Sequence, residues 1–272
     1  MVEYYQPTSL QEALKIRSEN KVTPYAGGTD LMIEADENLC YLFLNKVCEM
    51  RGIYEDAEYI RIGAACTYEK ILQSELVPQI LKDAVSQIAA PAIRNLGTMG
   101  GNIGNGSAKA DSALVCFALD AKLQLSSVSG SRLVDIDKFY LGRKKLDMAE
   151  NELITEILIP KADFGRYSYF KVGARNALAI SRVSFAGVLS LKDGRISNIA
   201  CAFGAVADTV LRFKDLEKMF LGKTLAEASA IKQDFVSAYS QSIVPIRGRV
   251  SMEYRKAVCM NLLNEFLSQS DI

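Results

Sequence analysis

The chain reads as an α+β protein in two parts, and three features of the sequence point there. Strand-like and helix-like segments are mixed up to Pro160, a block of long strand-like runs follows, and from about Leu211 the pattern is helical. A strand block followed by a helix block marks a separate α+β unit. The boundary is therefore expected near Lys161–Gly165, giving parts 1–163 and 164–272.

Taken in order, Leu10–Ile16 follows "PTS" and predicts a short helix, with Thr8 or Ser9 as cap and Glu12 in the first turn. "VTPYAGG" is a β-prone run stopped by two glycines, and "YLFLNKV" (41–47) and "YIRIGAA" (59–65) are strand-like. Thr67–Leu72 and Val77–Ile88 have helical spacing, as does Ser112–Leu119, while "AKLQLSS" alternates like a half-buried strand. Beyond Pro160, "RYSYFKV", "VSFAGVLSL" and "ISNIACAFGAV" predict strands, the last two joined by the turn "KDGR".

Composition narrows the function. Lysine plus arginine equals aspartate plus glutamate, 32 against 32, so a general binder of nucleic acid or anionic membrane is not expected. No apolar run reaches the roughly 20 residues of a membrane span. No secretory pattern opens the sequence, and a cytoplasmic location is expected. The six cysteines form no CxxC pair and no tight run, which argues against zinc ribbons and iron–sulfur clusters on this chain. There is no histidine, so Ser-His-Asp and Cys-His nucleophiles and imidazole-held metals are excluded. Redox or transfer chemistry would have to come from a bound cofactor.

Two glycine segments are the candidate site. "AGGTDLM" begins at Ala26, and "GTMGGNIGNGSAKAD" runs from Gly97 to Asp111 and holds five of the 18 glycines within ten residues. Both are expected to be loops whose backbone comes close to a ligand, with amides converging on an anion. Thr29, Thr98 and Ser107 would add hydroxyls, and Asn102 and Asn105 tolerate unusual backbone geometry. Asp30 and Asp111 would repel phosphate and suit the hydroxyls of a ribose or ribityl chain instead. Neither segment is a P-loop or a GxGxxG fingerprint. The plainer readings are a strand-ending turn and a flexible connection, so residues alone lead to a phosphate-bearing cofactor and no further.

"AGGTDLM", "IRIGAACTYEKI" and "IRNLGTMGGNIGNGSAKADSA", in this order and spacing, resemble the FAD-binding subunit of the molybdenum-hydroxylase family. The likeness continues through "ENELITEILIP", "YFKVGARNALAISRVSFAGV" and "EYRKAVCMNLL", and the "GNIGNGSAKADSA" variant is most similar to bacterial xanthine dehydrogenase subunits. It implies a two-lobed FAD-binding domain of the vanillyl-alcohol-oxidase type over 1–163. A C-terminal domain of a small antiparallel sheet plus helices would follow over 164–272. It also implies noncovalent FAD, NAD as an acceptor, and a heteromeric complex. In that complex [2Fe–2S] clusters and molybdopterin would sit on partner subunits.

Carried over by position, Tyr25, Ala26, Gly27, Gly28, Thr29 and Asp30 would wrap the diphosphate, as would Thr98, Met99, Gly100, Gly101 and Asn102. Asn105 and Asp111 match positions near the ribityl and ribose, and Ile154 a position whose backbone touches FAD. Lys171 matches a lysine at the flavin, where a cation would stabilise the anionic reduced ring; otherwise it is an exposed strand-edge lysine. Ile88 and Ala89 fall near the cofactor or in plain helix core. Ser107 precedes Ala108 where many relatives carry Ser-Pro. No side chain is expected to act as catalytic acid or base, and no metal site is expected. Two alternatives stay open: a non-catalytic nucleotide-binding or assembly module, and an FAD oxidoreductase acting on its own substrate.

Overall fold

The structure, a computed structural model, describes residues 3–272. They divide into two compact units, one of residues up to Gly106 with Asp120–Lys161, the other of Ser107–Leu119 with Ala162–Ile272.

In the first unit, β1 (Tyr4–Tyr5), β2 (Thr23–Tyr25) and β3 (Tyr41–Phe43) form a parallel sheet in the order β1–β3–β2. Parallel strands need a crossover, and the helix Leu10–Glu19 carries the chain from β1 to β2, on either side of β3; it is capped by Ser9, whose hydroxyl accepts from the Glu12 amide. The Glu12 carboxylate accepts in turn from the Thr8 amide at 2.8 Å. These reciprocal bonds satisfy helix donors that would otherwise lack partners.

The larger sheet is antiparallel. Its members are β4 (Ile53–Glu55), β5 (Tyr59–Gly63), β6 (Lys122–Ser127) and β7 (Gly130–Asp135). After the small hairpin of β8 (Tyr140–Gly142) and β9 (Lys145–Leu146) comes β10 (Leu153–Pro160), which enters the middle in the order β4–β5–β10–β6–β7. β10 is buried from Leu153 to Ile159, on both faces, so its letters show no alternation. Glu156 within it is tolerated because Tyr54 Oη and Arg61 Nη1 each donate to its carboxylate at 2.5 Å. The helix Tyr68–Gln73 starts at Thr67, whose hydroxyl accepts from the Lys70 amide.

One expectation is corrected here. The second glycine segment is not a loop throughout: Met99–Gly104 forms a helix, with Thr98 as its cap and Asn105 ending it. Three of its six residues are glycine, a composition that disfavours an isolated helix. Tertiary bonds to its first turn overcome that cost.

The second unit contains a four-stranded antiparallel sheet, β11 (Arg166–Val172), β12 (Val183–Lys192), β13 (Arg195–Gly204) and β14 (Leu211–Arg212), in that order. Phe185, Phe203, Phe220, Phe235, Tyr239, Leu263 and Phe266 are fully buried between this sheet and the helices Lys232–Ser242 and Met252–Gln269. The helix Asp111–Ala118 also packs on β12 and β13, with every one of its residues buried. A helix enclosed on all sides must be apolar on all sides, which "DSALVCFA" is after its first two residues. Residues 107–119 therefore pack with the later strands, although they precede Lys161 in the chain.

Candidate functional site

The site begins where β2 ends. Leu44 N–H donates to the Tyr25 carbonyl at 2.8 Å, the last bond of the ladder, and the chain then turns through Ala26–Asp30. Among the described residues, the backbone N–H groups of Gly27, Gly28 and Thr29 have no hydrogen-bond acceptor. Three successive half-buried amides without partners are uncommon, because such groups are normally satisfied. Gly27 is required for a different reason. A Cβ there would overlap the Leu96 carbonyl, just ahead of the second segment.

The second segment closes on itself. The amides of Met99, Gly100 and Gly101, which a helix leaves without internal acceptors, all find one within the chain, and Asn102 makes the first bond of the helix itself. Met99 donates to the Cys66 carbonyl (3.1 Å), Gly100 to Ala64 (2.9 Å) and Asn102 to Thr98 (3.0 Å). Gly101 donates to the Thr98 hydroxyl at 3.2 Å. A Cβ on Gly100 would lie 2.7 Å from the Ala64 carbonyl oxygen, so glycine is what lets this turn reach the chain after β5. Gly100 and Gly101 thus already donate within the protein.

Both segments line one cavity of about 340 Å3. Of the predicted residues it contains Ala26, Gly27, Gly28, Thr29, Asp30, Thr98, Gly100, Gly101, Asn105 and Ile154, joined by residues the sequence reading did not single out, Glu34, Lys144 and Met148 among them. Ile154 stands at a bulge of β10 and reaches toward Gly104. Tyr25, Met99, Asn102, Ile88 and Ala89 are outside the lining. Tyr25 packs its ring 4.5 Å from Phe43, and Met99 is fully buried. No sequence signal pointed to Lys144, because it lies in a short hairpin 38 positions beyond Gly106.

Asp111 and Lys171 belong to the second unit, where they meet each other: Lys171 Nζ donates to Asp111 Oδ2 at 2.8 Å, with Asp111 buried and the Lys171 side chain nearly so. Ser181 donates to the other carboxylate oxygen at 2.7 Å. Asp111 therefore already has protein donors on both oxygens. The charge of Lys171, a bare surface cation in the plainer reading, is balanced by its partner across 60 positions of sequence. Burial, and then the nearby Asp111 charge, push the Tyr169 hydroxyl far above its ordinary range. Among the described residues no group of histidine, cysteine or acidic side chains is arranged to hold a metal, and no helix is long and apolar enough to cross a membrane. Burial raises the thiols of Cys116 and Cys259 to about 12, so neither is a ready nucleophile.

The donor set of the first segment fits a diphosphate: open amides in sequence, with the Thr29 hydroxyl beside them. Comparison with known proteins agrees. Residues 1–162 match the FAD binding domain in molybdopterin dehydrogenase, and residues 168–270 the CO dehydrogenase flavoprotein C-terminal domain. The chain is 30% identical to the xanthine dehydrogenase FAD-binding subunit of Escherichia coli O157:H7, covering 98% of this chain and 95% of that one. It is 33% identical to the glyceraldehyde dehydrogenase medium chain of Sulfolobus acidocaldarius, over 94% and 93%. In structure it is similar to a carbon monoxide dehydrogenase from Hydrogenophaga pseudoflava, with TM-score 0.89 and 27% identity over 98% of this chain and 96% of that one. The chain belongs to the molybdenum-hydroxylase (molybdopterin dehydrogenase) family, as an FAD-binding medium subunit.

Proposed function

We propose that this chain relays electrons through FAD within a hydroxylase acting on xanthine or a related purine. In this reading the electrons come from [2Fe–2S] clusters on one partner subunit, fed by a molybdopterin subunit, and leave to NAD or another acceptor in the cytoplasm. FAD supplies the two-electron and one-electron redox chemistry when bound. The open amides of Gly27, Gly28 and Thr29 carry the proposal, because they provide what a diphosphate needs. The likeness to the xanthine dehydrogenase subunit supports the substrate class.

The roles proposed for the individual residues are these. Ala26–Thr29 hold the diphosphate, and Asp30 takes a sugar hydroxyl. Thr98, Asn105 and Ile154 wall the cavity, with Tyr25, Met99, Gly100, Gly101 and Asn102 holding the two segments in place. Lys171 and Asp111 act as a pair, serving the flavin as a buried, charge-balanced unit. The domain division 1–163 and 164–272 is retained as the division of sequence modules, beside the compact units described above. An aldehyde-oxidising complex is the second reading, favoured by the similarity to the glyceraldehyde dehydrogenase medium chain.

The test is the visible spectrum of the purified chain before and after denaturation, with the released chromophore identified by chromatography. Near-stoichiometric, releasable FAD is expected. A colourless chain that takes up no added FAD would overturn the reading. Turnover of the assembled complex with purines and with aldehydes then separates the two substrate classes.

A further inference from the structure

The charged side chains among the cavity lining are Asp30, Glu34 and Lys144. Two are negative, and a diphosphate entering there would meet repulsion that backbone amides, carrying only partial charges, offset incompletely. Lys144 is the cation of the set. Among the described residues no carboxylate lies within ion-pairing distance of it, unlike Lys122 and Lys171, which are both paired.

Its backbone is unusual too. Lys144 holds φ at 53°, in the left-handed region that costs a side-chain-bearing residue free energy. It does so in the turn between β8 and β9, against Gly106, where a Cβ would lie 3.1 Å from the Lys144 Cα. The hairpin is anchored on its far side. Asp147 N–H donates to the Phe139 carbonyl at 2.8 Å. Arg132 donates to the Asp147 carboxylate and carbonyl at 2.9 Å each, and to Glu152 at 2.7 Å. A strained, anchored turn thus places Lys144, which has no carboxylate within ion-pairing distance among the described residues, at the cavity lined by Gly27, Gly28 and Thr29.

We propose that Lys144 is a binding residue for the diphosphate of FAD, supplying the full positive charge that the Gly27–Thr29 amides lack. The proposal rests on the FAD reading above. The test uses the full chain stripped of FAD and titrated with FAD at low and high salt, as wild type, Lys144→Met and Lys144→Arg. Lys144→Met is expected to weaken binding about tenfold at low salt, with a shallower salt dependence because a screened charge pair is gone. Lys144→Arg is expected to stay within about twofold, since it keeps the charge. Thermal unfolding of the three FAD-free proteins is expected to coincide.

Lys144→Met binding as wild type with an unchanged salt dependence overturns the proposal. So does equal weakening by both substitutions, or a matching loss of stability, because either would make the residue a support of the hairpin. A wild-type chain that takes no FAD overturns the functional reading itself, and this inference with it.

Discussion

Ala26–Asp30 and Thr98–Gly104 are written in similar letters, each with paired glycines beside a threonine, and they line the same cavity. In the first, three successive amides find no acceptor among the described residues. In the second, the amides of Met99 to Asn102 all do, two of them on carbonyls from the stretch Ala64–Cys66. Glycine therefore does different work in the two places. It keeps donors open in one, and in the other it lets a helical turn press against a neighbouring backbone. A glycine-rich stretch beside a ligand cavity is thus not by itself an anion cradle; the fate of its amides decides.

The contrast can be broken by substitutions that separate packing from binding. Gly100→Val should have the largest effect, destabilising the FAD-free chain by about 3 kcal/mol through overpacking against Ala64. Urea unfolding measures it, and an unchanged midpoint would show that the second turn is not close-packed. Thr98→Ala should cost about 1 kcal/mol in the same assay, because it removes the cap that accepts from Gly101. Thr29→Val should leave FAD-free stability within about 0.5 kcal/mol of wild type. It should also raise the FAD dissociation constant about fivefold, as expected for one lost hydrogen bond to a ligand. If Thr29→Val instead lowers stability as Thr98→Ala does, the two segments are alike after all.

A smaller effect sharpens the comparison from outside both segments. In the turn between β4 and β5, Arg61 and the Glu58 and Tyr59 amides hold Asp56 at about 2, below its ordinary 3.8. Because the folded value is the lower one, the stability it contributes is fully present above 3.8. That contribution is lost as pH falls toward 2. Asp56→Asn should therefore flatten the stability–pH curve only between about pH 4 and 2, leaving FAD binding at neutral pH unchanged. Acid titration of the unfolding midpoint checks this.

Local signals were legible in the sequence. Ser9 and Thr67 announce helices because a capping hydroxyl acts on an amide three residues ahead. "AKLQLSS" announces a strand because one face is buried and the other is not. β10 was not read as a strand: burial on both faces erases alternation, and its Glu156 looks like a surface residue until Tyr54 and Arg61 are brought to it. The helix Met99–Gly104 was hidden for the opposite reason, since its letters disfavour a helix and its stabilising carbonyls lie more than 30 positions earlier.

By itself the sequence determined the α+β texture, the positions of the two glycine segments and, through the lack of histidine and clustered cysteine, that any redox chemistry must be a cofactor's. Those properties are local or compositional, so neighbouring letters suffice. Only the tertiary structure decided which amides stay open, that Asp111 meets Lys171, that Asp111–Ala118 packs with the later strands, and that Lys144 reaches the cavity. Each of these depends on which distant group arrives to satisfy a donor or a charge, and that depends on how the whole chain is packed.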